Sequence, residues 1–278
     1  MGKKAYLGIY DFSHFKNRCV CCERSGIKLT KEHVFPEWLL KRTNTYSRRI
    51  RWIGGKRIRG RHCTLPICSD CNPAMGVQLE APVRVLFDDI EGARGLSDQE
   101  SELICQWMWK MTGIFWWAAH PDGKFSLGGR TLRQHVLEPI AAPRSRVSLA
   151  IGRIGLVDYL RFGDAPMGLD VLPDFCSILA AGVFSKVALI VHLSEFSAHV
   201  PRNYSIYTLS DNPRAGPKVF FPSLGFYDDT EAVGTTTVVA RRLKLLHDRR
   251  GAQALSTILQ DAGSTWASPD PEEEKNVG

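Results

Sequence analysis

The apolar positions of this 278-residue chain recur with different periods in different regions. Between residues 81 and 120 they return every three or four positions. Val83, Leu86, Phe87 and Ile90 form one series; Leu103, Ile104, Trp107, Met108, Met111, Ile114 and Phe115 form a second. That period predicts two helices with apolar faces. Ser97, with Glu100 three positions later, forms a capping box for the second. The cluster Trp107, Trp109, Trp116 and Trp117 reads as core, with a base-stacking platform as the alternative. From 121 onward the runs are shorter. Residues 147–151, 187–191, 204–209, 219–221 and 235–239 are β-prone and separated by turn residues. No helix alternates regularly with them, so an antiparallel sheet is expected. A last helix is expected over 252–262. The tail 264–278, with Pro269, Pro271 and three consecutive glutamates, reads as disordered.

The fold class expected is therefore α+β, in four stretches: 1–80, a helical connector 81–120, an α+β domain 121–263, and the tail. Two apolar stretches are candidates for membrane spans. Residues 107–119 are too few to cross a bilayer. Residues 176–193 are interrupted by Gly182, Ser185 and Lys186, and read as two adjacent buried strands or a strand after a short helix. The first residues carry two lysines but no long apolar run, so neither an export signal nor a membrane is expected. The expected location is cytoplasmic, a reducing compartment in which paired cysteines usually hold metal.

Charge is unevenly distributed. Residues 1–80 hold 16 Lys/Arg against 6 Asp/Glu, whereas residues 81–278 hold 20 against 23. A strongly basic segment on a near-neutral body points to a polyanion, with nucleic acid the first choice. Much of the basic charge lies between Lys41 and Arg61, which contain no acidic residue. The segment 49–59 reads as a β-hairpin turning at Gly54-Gly55. Its candidate nucleic-acid-binding residues are Arg49, Arg51, Lys56, Arg57 and Arg59, with Trp52 free to pack or stack. A solubilising surface loop is the plainer alternative.

Six of the eight cysteines fall in the same basic stretch. Cys19 and Cys22 form one C-x-x-C pair, and Cys68 and Cys71 a second, 46 positions further on. Four thiolates in two such knuckles suit tetrahedral zinc. Cys21 and Cys63 are possible substitutes for their neighbours. Cys105 and Cys176 sit in apolar runs and read as core thiols. Between the knuckles, Glu32 and His33 place a carboxylate beside an imidazole in a β-prone run, where neighbours project to opposite faces. Asn72 directly follows the second knuckle, where a helix would begin.

C-x-x-C, then Glu-His-Val-Phe-Pro, then C-x-x-C-Asn resembles the HNH (ββα-metal, treble-clef) endonuclease superfamily. The zinc-knuckle order is similar to that of phage endonuclease VII. The likeness covers about residues 19–80. It implies Zn²⁺ on Cys19, Cys22, Cys68 and Cys71, His33 as general base, and Glu32 and Asn72 on a catalytic Mg²⁺ or Mn²⁺. Glu80, two helical turns beyond Asn72, is a further candidate for that cation. The implied activity is metal-dependent hydrolysis of DNA phosphodiesters, in a setting that includes bacterial or phage conflict. The alternative is a non-catalytic zinc-dependent nucleic-acid-binding protein. The C-terminal domain is left to a homodimer contact or a partner protein.

Overall fold

The computed structural model describes residues 12–51, 57–121, 130–140, 143–157, 179–212 and 216–261. It is α+β with mainly antiparallel sheets. The N-terminal part builds a small two-stranded sheet from β1 (Leu29–His33) and β4 (Thr64–Cys68), antiparallel from Leu29 opposite Cys68 to His33 opposite Thr64, with no register shift. Between them lie α1 (Glu37–Arg42) and a short ribbon, β2 (Arg49–Arg51) paired with β3 (Arg57–Arg59). The expected hairpin is thus present in its strands. Its turn, with Trp52, Gly54, Gly55 and Lys56, lies outside the described residues, as do Cys176 and the tail.

From Cys71 the chain runs on helically. α2 (Cys71–Met75) passes into five residues, Gly76–Glu80, bonded in the wider i→i+5 pattern, and then into α3 (Ala81–Glu91). α4 (Asp98–Ala119) follows. Its expected cap is present: Glu100 N–H donates to Ser97 Oγ at 3.3 Å, and Ser97 N–H donates to Glu100 Oε2 at 2.6 Å. Trp107, Trp109 and Trp117 are buried, in line with a core role. A shorter helix, α5 (Leu132–Leu137), starts from a second capping box, Thr131 with Gln134.

The larger sheet has the order β6 (Ala180–Phe184), β7 (Val187–Leu193), β5 (Val147–Leu156), β8 (Ser205–Thr208). The stretch 180–193 is therefore two buried strands in a tight hairpin, with Ser185 at φ +55° in its turn. β5 is long enough to serve two partners on one edge. Its first half pairs antiparallel with β8, and its second half pairs parallel with β9 (Leu224–Asp228) after an irregularity at Arg153/Ile154. Gly225 permits the crowding there, because a Cβ would stand 1.7 Å from the Asn203 carbonyl oxygen.

Two expectations fail. Residues 219–221 contribute only a single bridge, Phe220 to Leu96. Residues 235–239 are not a strand but part of α6 (Asp229–Asp261). Their β-branched side chains are tolerated in the helix, where Thr236 Oγ1 donates to Ala232 O at 2.6 Å and meets Tyr204 Oη, also at 2.6 Å. α6 starts from a side-chain cap and takes in the helix expected over 252–262: Asp228 accepts from Glu231 N–H at 2.8 Å, a capping pair three residues apart.

The sheet is covered on both faces. α6 packs on one. On the other an aromatic column runs from α1 to β6: Trp38 to Phe87 at 5.2 Å, Phe87 to Trp107 at 5.2 Å, and Trp107 to Phe184 at 4.9 Å between ring centroids. The α4 N-terminus is clasped to the sheet by Arg144, which pairs with Asp98 and Glu102, while Tyr207 Oη donates to Asp98 at 2.9 Å. No helix among the described residues is long and apolar enough to cross a membrane.

The cap of α4 carries the first prediction. Ser97→Ala removes the acceptor for Glu100 N–H and should lower stability by about 1 kcal/mol. Urea unfolding of the variant beside the natural chain measures it, and an unchanged midpoint would exclude a stabilising cap.

Candidate metal centre

The first knuckle is a loop closed on itself. Arg18 and Ser25 bridge, Cys19 N–H donates to Arg24 O at 3.0 Å, and Glu23 turns at φ +58°. The second joins the last residue of β4, Cys68, to the first of α2, Cys71. Val20 N–H donates to Pro66 O at 3.0 Å, docking the first knuckle on β4.

This brings Cys19, Cys22, Cys68 and Cys71 together, with their sulfurs all within 4.8 Å of one another. Cys22 Sγ and Cys68 Sγ are 3.8 Å apart. A tetrahedron with zinc–sulfur bonds of about 2.3 Å has edges of about 3.8 Å. Each sulfur also accepts an N–H. Cys68 N–H reaches Cys19 at 3.2 Å, Cys71 N–H reaches Cys68 at 3.3 Å, Arg24 Nε reaches Cys22 at 3.3 Å, and an Arg133 guanidinium nitrogen reaches Cys71 at 3.3 Å. Four thiolates around a dication leave two negative charges, and these two arginines offset them. Hydrogen bonds with Cys21 and Cys71 hold the Cys19 thiol far below its ordinary range, and the contact with Cys19 pushes Cys71 up. One thiolate opposes the next, so a bound dication is what allows all four to ionise together. The cluster can hold a metal ion such as zinc.

Cys21 and Cys63 fall outside this set. Cys21 Sγ lies 3.9 Å from Met75 Sδ, and Cys63 Sγ lies 3.7 Å from Arg59 O. Cys105 is buried in α4, and burial pushes its thiol up, as suits a core residue.

The other candidate residues divide by the faces of β1. Because the strand is regular, Thr30 and Glu32 share one face and His33 takes the other. On the first face, Asn72 Nδ2 donates to Thr30 Oγ1 at 3.0 Å. Glu32 Oε1 is held at 2.6 Å by Lys110 Nζ, and Lys110 holds Glu80 Oε1 at the same distance. Glu80 also accepts from the indoles of Trp38 at 2.7 Å and Trp107 at 3.2 Å. Glu32 and Glu80 thus meet across an ammonium. The Lys110 side chain is 0% exposed, against 14% for Glu32 and 12% for Glu80. Burial acts to lower its pKa, but the two carboxylates outweigh burial and raise it, so Lys110 is charged.

His33 is partly exposed on the opposite face. Its ring centroid lies 6.3 Å from that of Tyr46. His62 is close by; burial, then Arg61, Arg59, Lys31 and His33, hold its pKa below the ordinary value. The β2–β3 ribbon sits in the same region. Arg49 is opposite Arg59, while Ile50 opposite Ile58 forms the back of the ribbon, with Ile50 buried. Arg51 is opposite Arg57 in the register. Like charges placed directly across a ladder oppose pairing.

Sequence reasoning missed Lys110, Arg24 and Arg133. Lys110 had a signal: it is a charged residue at core spacing, three after Trp107 and four before Ile114. Arg133 had none, since its capping box announces a helix but not its target. No family model, curated protein sequence or solved structure matches this chain.

Protein purified without chelators should contain one zinc per chain. Cys→Ser at Cys19, Cys22, Cys68 or Cys71 should abolish zinc and unfold this region, because such sites contribute on the order of 10 kcal/mol in small peptides. Arg133→Met should keep the zinc but weaken its retention against a competing chelator by about 10- to 100-fold. Elemental analysis and chelator competition check both.

Proposed function

We propose that this chain is a zinc-stabilised, HNH-type nuclease that hydrolyses phosphodiester bonds of nucleic acid, DNA in the first instance. The observation that carries the reading is the arrangement at β1. Two antiparallel strands and a helix, tied by the four-cysteine cluster, bring Glu32 and Asn72 to one side of the strand. The same unit leaves a partly exposed imidazole, His33, outside the cluster, with Lys31 on the same face of the strand and His62 near it. Binding alone does not require that set.

The donor set fits a hard cation. Glu32 gives one oxygen to Lys110, and Asn72 uses its Nδ2 on Thr30; among the described residues neither the second Glu32 oxygen nor Asn72 Oδ1 has a partner. Mg²⁺ keeps most of its waters and needs only one or two protein oxygens beside a phosphate. When bound, it supplies charge for the scissile phosphate and the leaving oxygen. His33 takes the proton from the attacking water. The arginines of β2 and β3 hold the backbone of the nucleic acid and set its register.

A second reading has its own observation. Lys110 already neutralises one oxygen each of Glu32 and Glu80, and Glu32 and His33 leave β1 on opposite faces. Both facts favour a zinc-dependent nucleic-acid-binding protein without catalysis. Incubating plasmid DNA and RNA with Mg²⁺, Mn²⁺ or EDTA separates the two. Metal-dependent nicking supports the nuclease, and binding without nicking supports the rival.

Two further outcomes are expected. His33→Ala should slow cleavage by about 10²–10⁴ while zinc content, melting temperature and DNA binding stay the same. Loss of zinc in that variant would make His33 a structural ligand instead. Changing Arg49, Arg57 and Arg59 to Ala should weaken DNA binding and flatten log affinity against log salt by about 0.9 for each phosphate no longer neutralised. A slope equal to that of the natural chain would move the binding face away from the ribbon.

A further inference from the structure

We infer that His192 and His247 form a proton-operated latch between β7 and α6, so that mild acid releases the helix from the sheet.

Both imidazoles lie on the face of the sheet that α6 covers. Phe184 packs against Trp107 on the other face and stands opposite Val187. Residues 188, 190 and 192 of β7 therefore project towards α6. There His192 is 0% exposed and His247 3%. A short turn after β7, Ser194–His199, closes the interface, and its Phe196 ring lies 4.7 Å from that of His247 between centroids. His192 Nδ1 is 2.8 Å from Leu193 O, which fixes the proton on that nitrogen. Its Nε2, like His247 Nε2 and Ser197 Oγ, is buried without a hydrogen-bond partner among the described residues. A second proton on either ring would bury a charge with nothing to accept its N–H, which is costly.

The surroundings do little to offset that charge. β6 and β7 hold no ionisable side chain besides His192. β5 places Ser148 opposite it, bonded to Thr208 Oγ1 at 2.7 Å, and its one charged residue, Arg153, stands at the other end of that pairing, opposite Val187. β9 has Tyr227 and Asp228, at the start of α6 and far along it from His247. The turn adds Glu195, which is exposed, and His199, which is partly so. On α6 itself Asp248 favours a charged His247, but Lys244 opposes it and pairs with Asp248 at 2.9 Å. Burial first, then His192, hold His247 down to about 4, and burial holds His192 down as well. The seam between the turn and α6 is also incompletely filled. A cavity of about 490 Å³ opens there, lined by Val200, Pro201, Gly234 and Val238 with His199 and Arg242.

Both rings are neutral in the closed interface and can charge once α6 lifts, so the open form takes up protons that the closed form refuses. The latch is whole above the ordinary imidazole value of about 6.5 and weakens as pH falls from there towards the folded-state value. Release bares the apolar face of β6 and β7. The aromatic column on the opposite face, from Trp38 to Phe184, draws no ring from α6 and can stay packed.

Hydrogen–deuterium exchange of the full, zinc-loaded chain tests the latch, after correction for the intrinsic effect of pH on exchange. Between about pH 7.5 and about pH 5.5 the opening constant in α6 and β7 should rise by about tenfold or more, with a much smaller change in α4. His192→Gln combined with His247→Gln should abolish the rise. Should that double variant fail to fold, His247→Gln alone is expected to cut the rise by about tenfold. His135, which burial in α5 also holds down to about 4, is the control, and His135→Gln should leave the response of α6 as it was. Exchange in α6 that pH leaves unchanged, a rise that survives these His192 and His247 substitutions, a rise that His135→Gln removes, or α4 opening in step with α6 would each overturn the inference.

Discussion

Four sulfurs that would all be anionic, gathered within 4.8 Å, are the constraint on which the N-terminal architecture depends. Left to themselves they repel, and the opposite pKa directions of Cys19 and Cys71 express that conflict. A bound dication would resolve most of it and two guanidinium groups the rest. Because the knuckles are far apart in the chain, satisfying the sulfurs also closes the long connection that holds α1 and the ribbon. It sets the end of β4 and the start of α2 in the same step. Arg133 extends this dependence to α5: its side chain meets Cys71, and its N–H donates to Cys21 O at 2.8 Å.

A second electrostatic knot ties the four-cysteine region to the helices behind it. An ammonium with no exposure is tolerable only when paired and hydrogen-bonded. Here β1, the Gly76–Glu80 turn and α4 must all be in place before Lys110 is satisfied. The wider helical turn ends on Glu80, the residue that must reach Lys110. Such turns occur often at functional sites. The aromatic column from Trp38 to Phe184 packs around the same point, so charge pairing and apolar burial reinforce one another there.

What could be read directly from the chain was local. Period, capping boxes and C-x-x-C spacing are short-range signals, and α3, α4, β5, β7, the ribbon strands and the four-cysteine set all follow from them. The run at 235–239 misled because β-branched residues report a pleated, half-buried surface only when nothing stronger is present. There the Asp228–Glu231 cap and the packing of α6 on the sheet prevailed. The partners of Lys110, Arg24 and Arg133 were invisible for a different reason. Each acts through a partner that only the fold supplies, and Lys110 lies 78 residues from Glu32.

The ribbon of β2 and β3 also has a bearing on how binding would register in the molecule. It is three residue pairs long, with facing arginines on the register and a narrow apolar back of Ile50 and Ile58. Such an element is a small cooperative unit near the low end of the local stability scale. Opening it exposes little apolar surface, while closing it must work against like charge. A polyanion laid along it would favour the closed form without moving any other element. Occupancy of this surface would therefore be recorded as slower amide exchange along the two short strands, a change in local order in an otherwise unaltered shape.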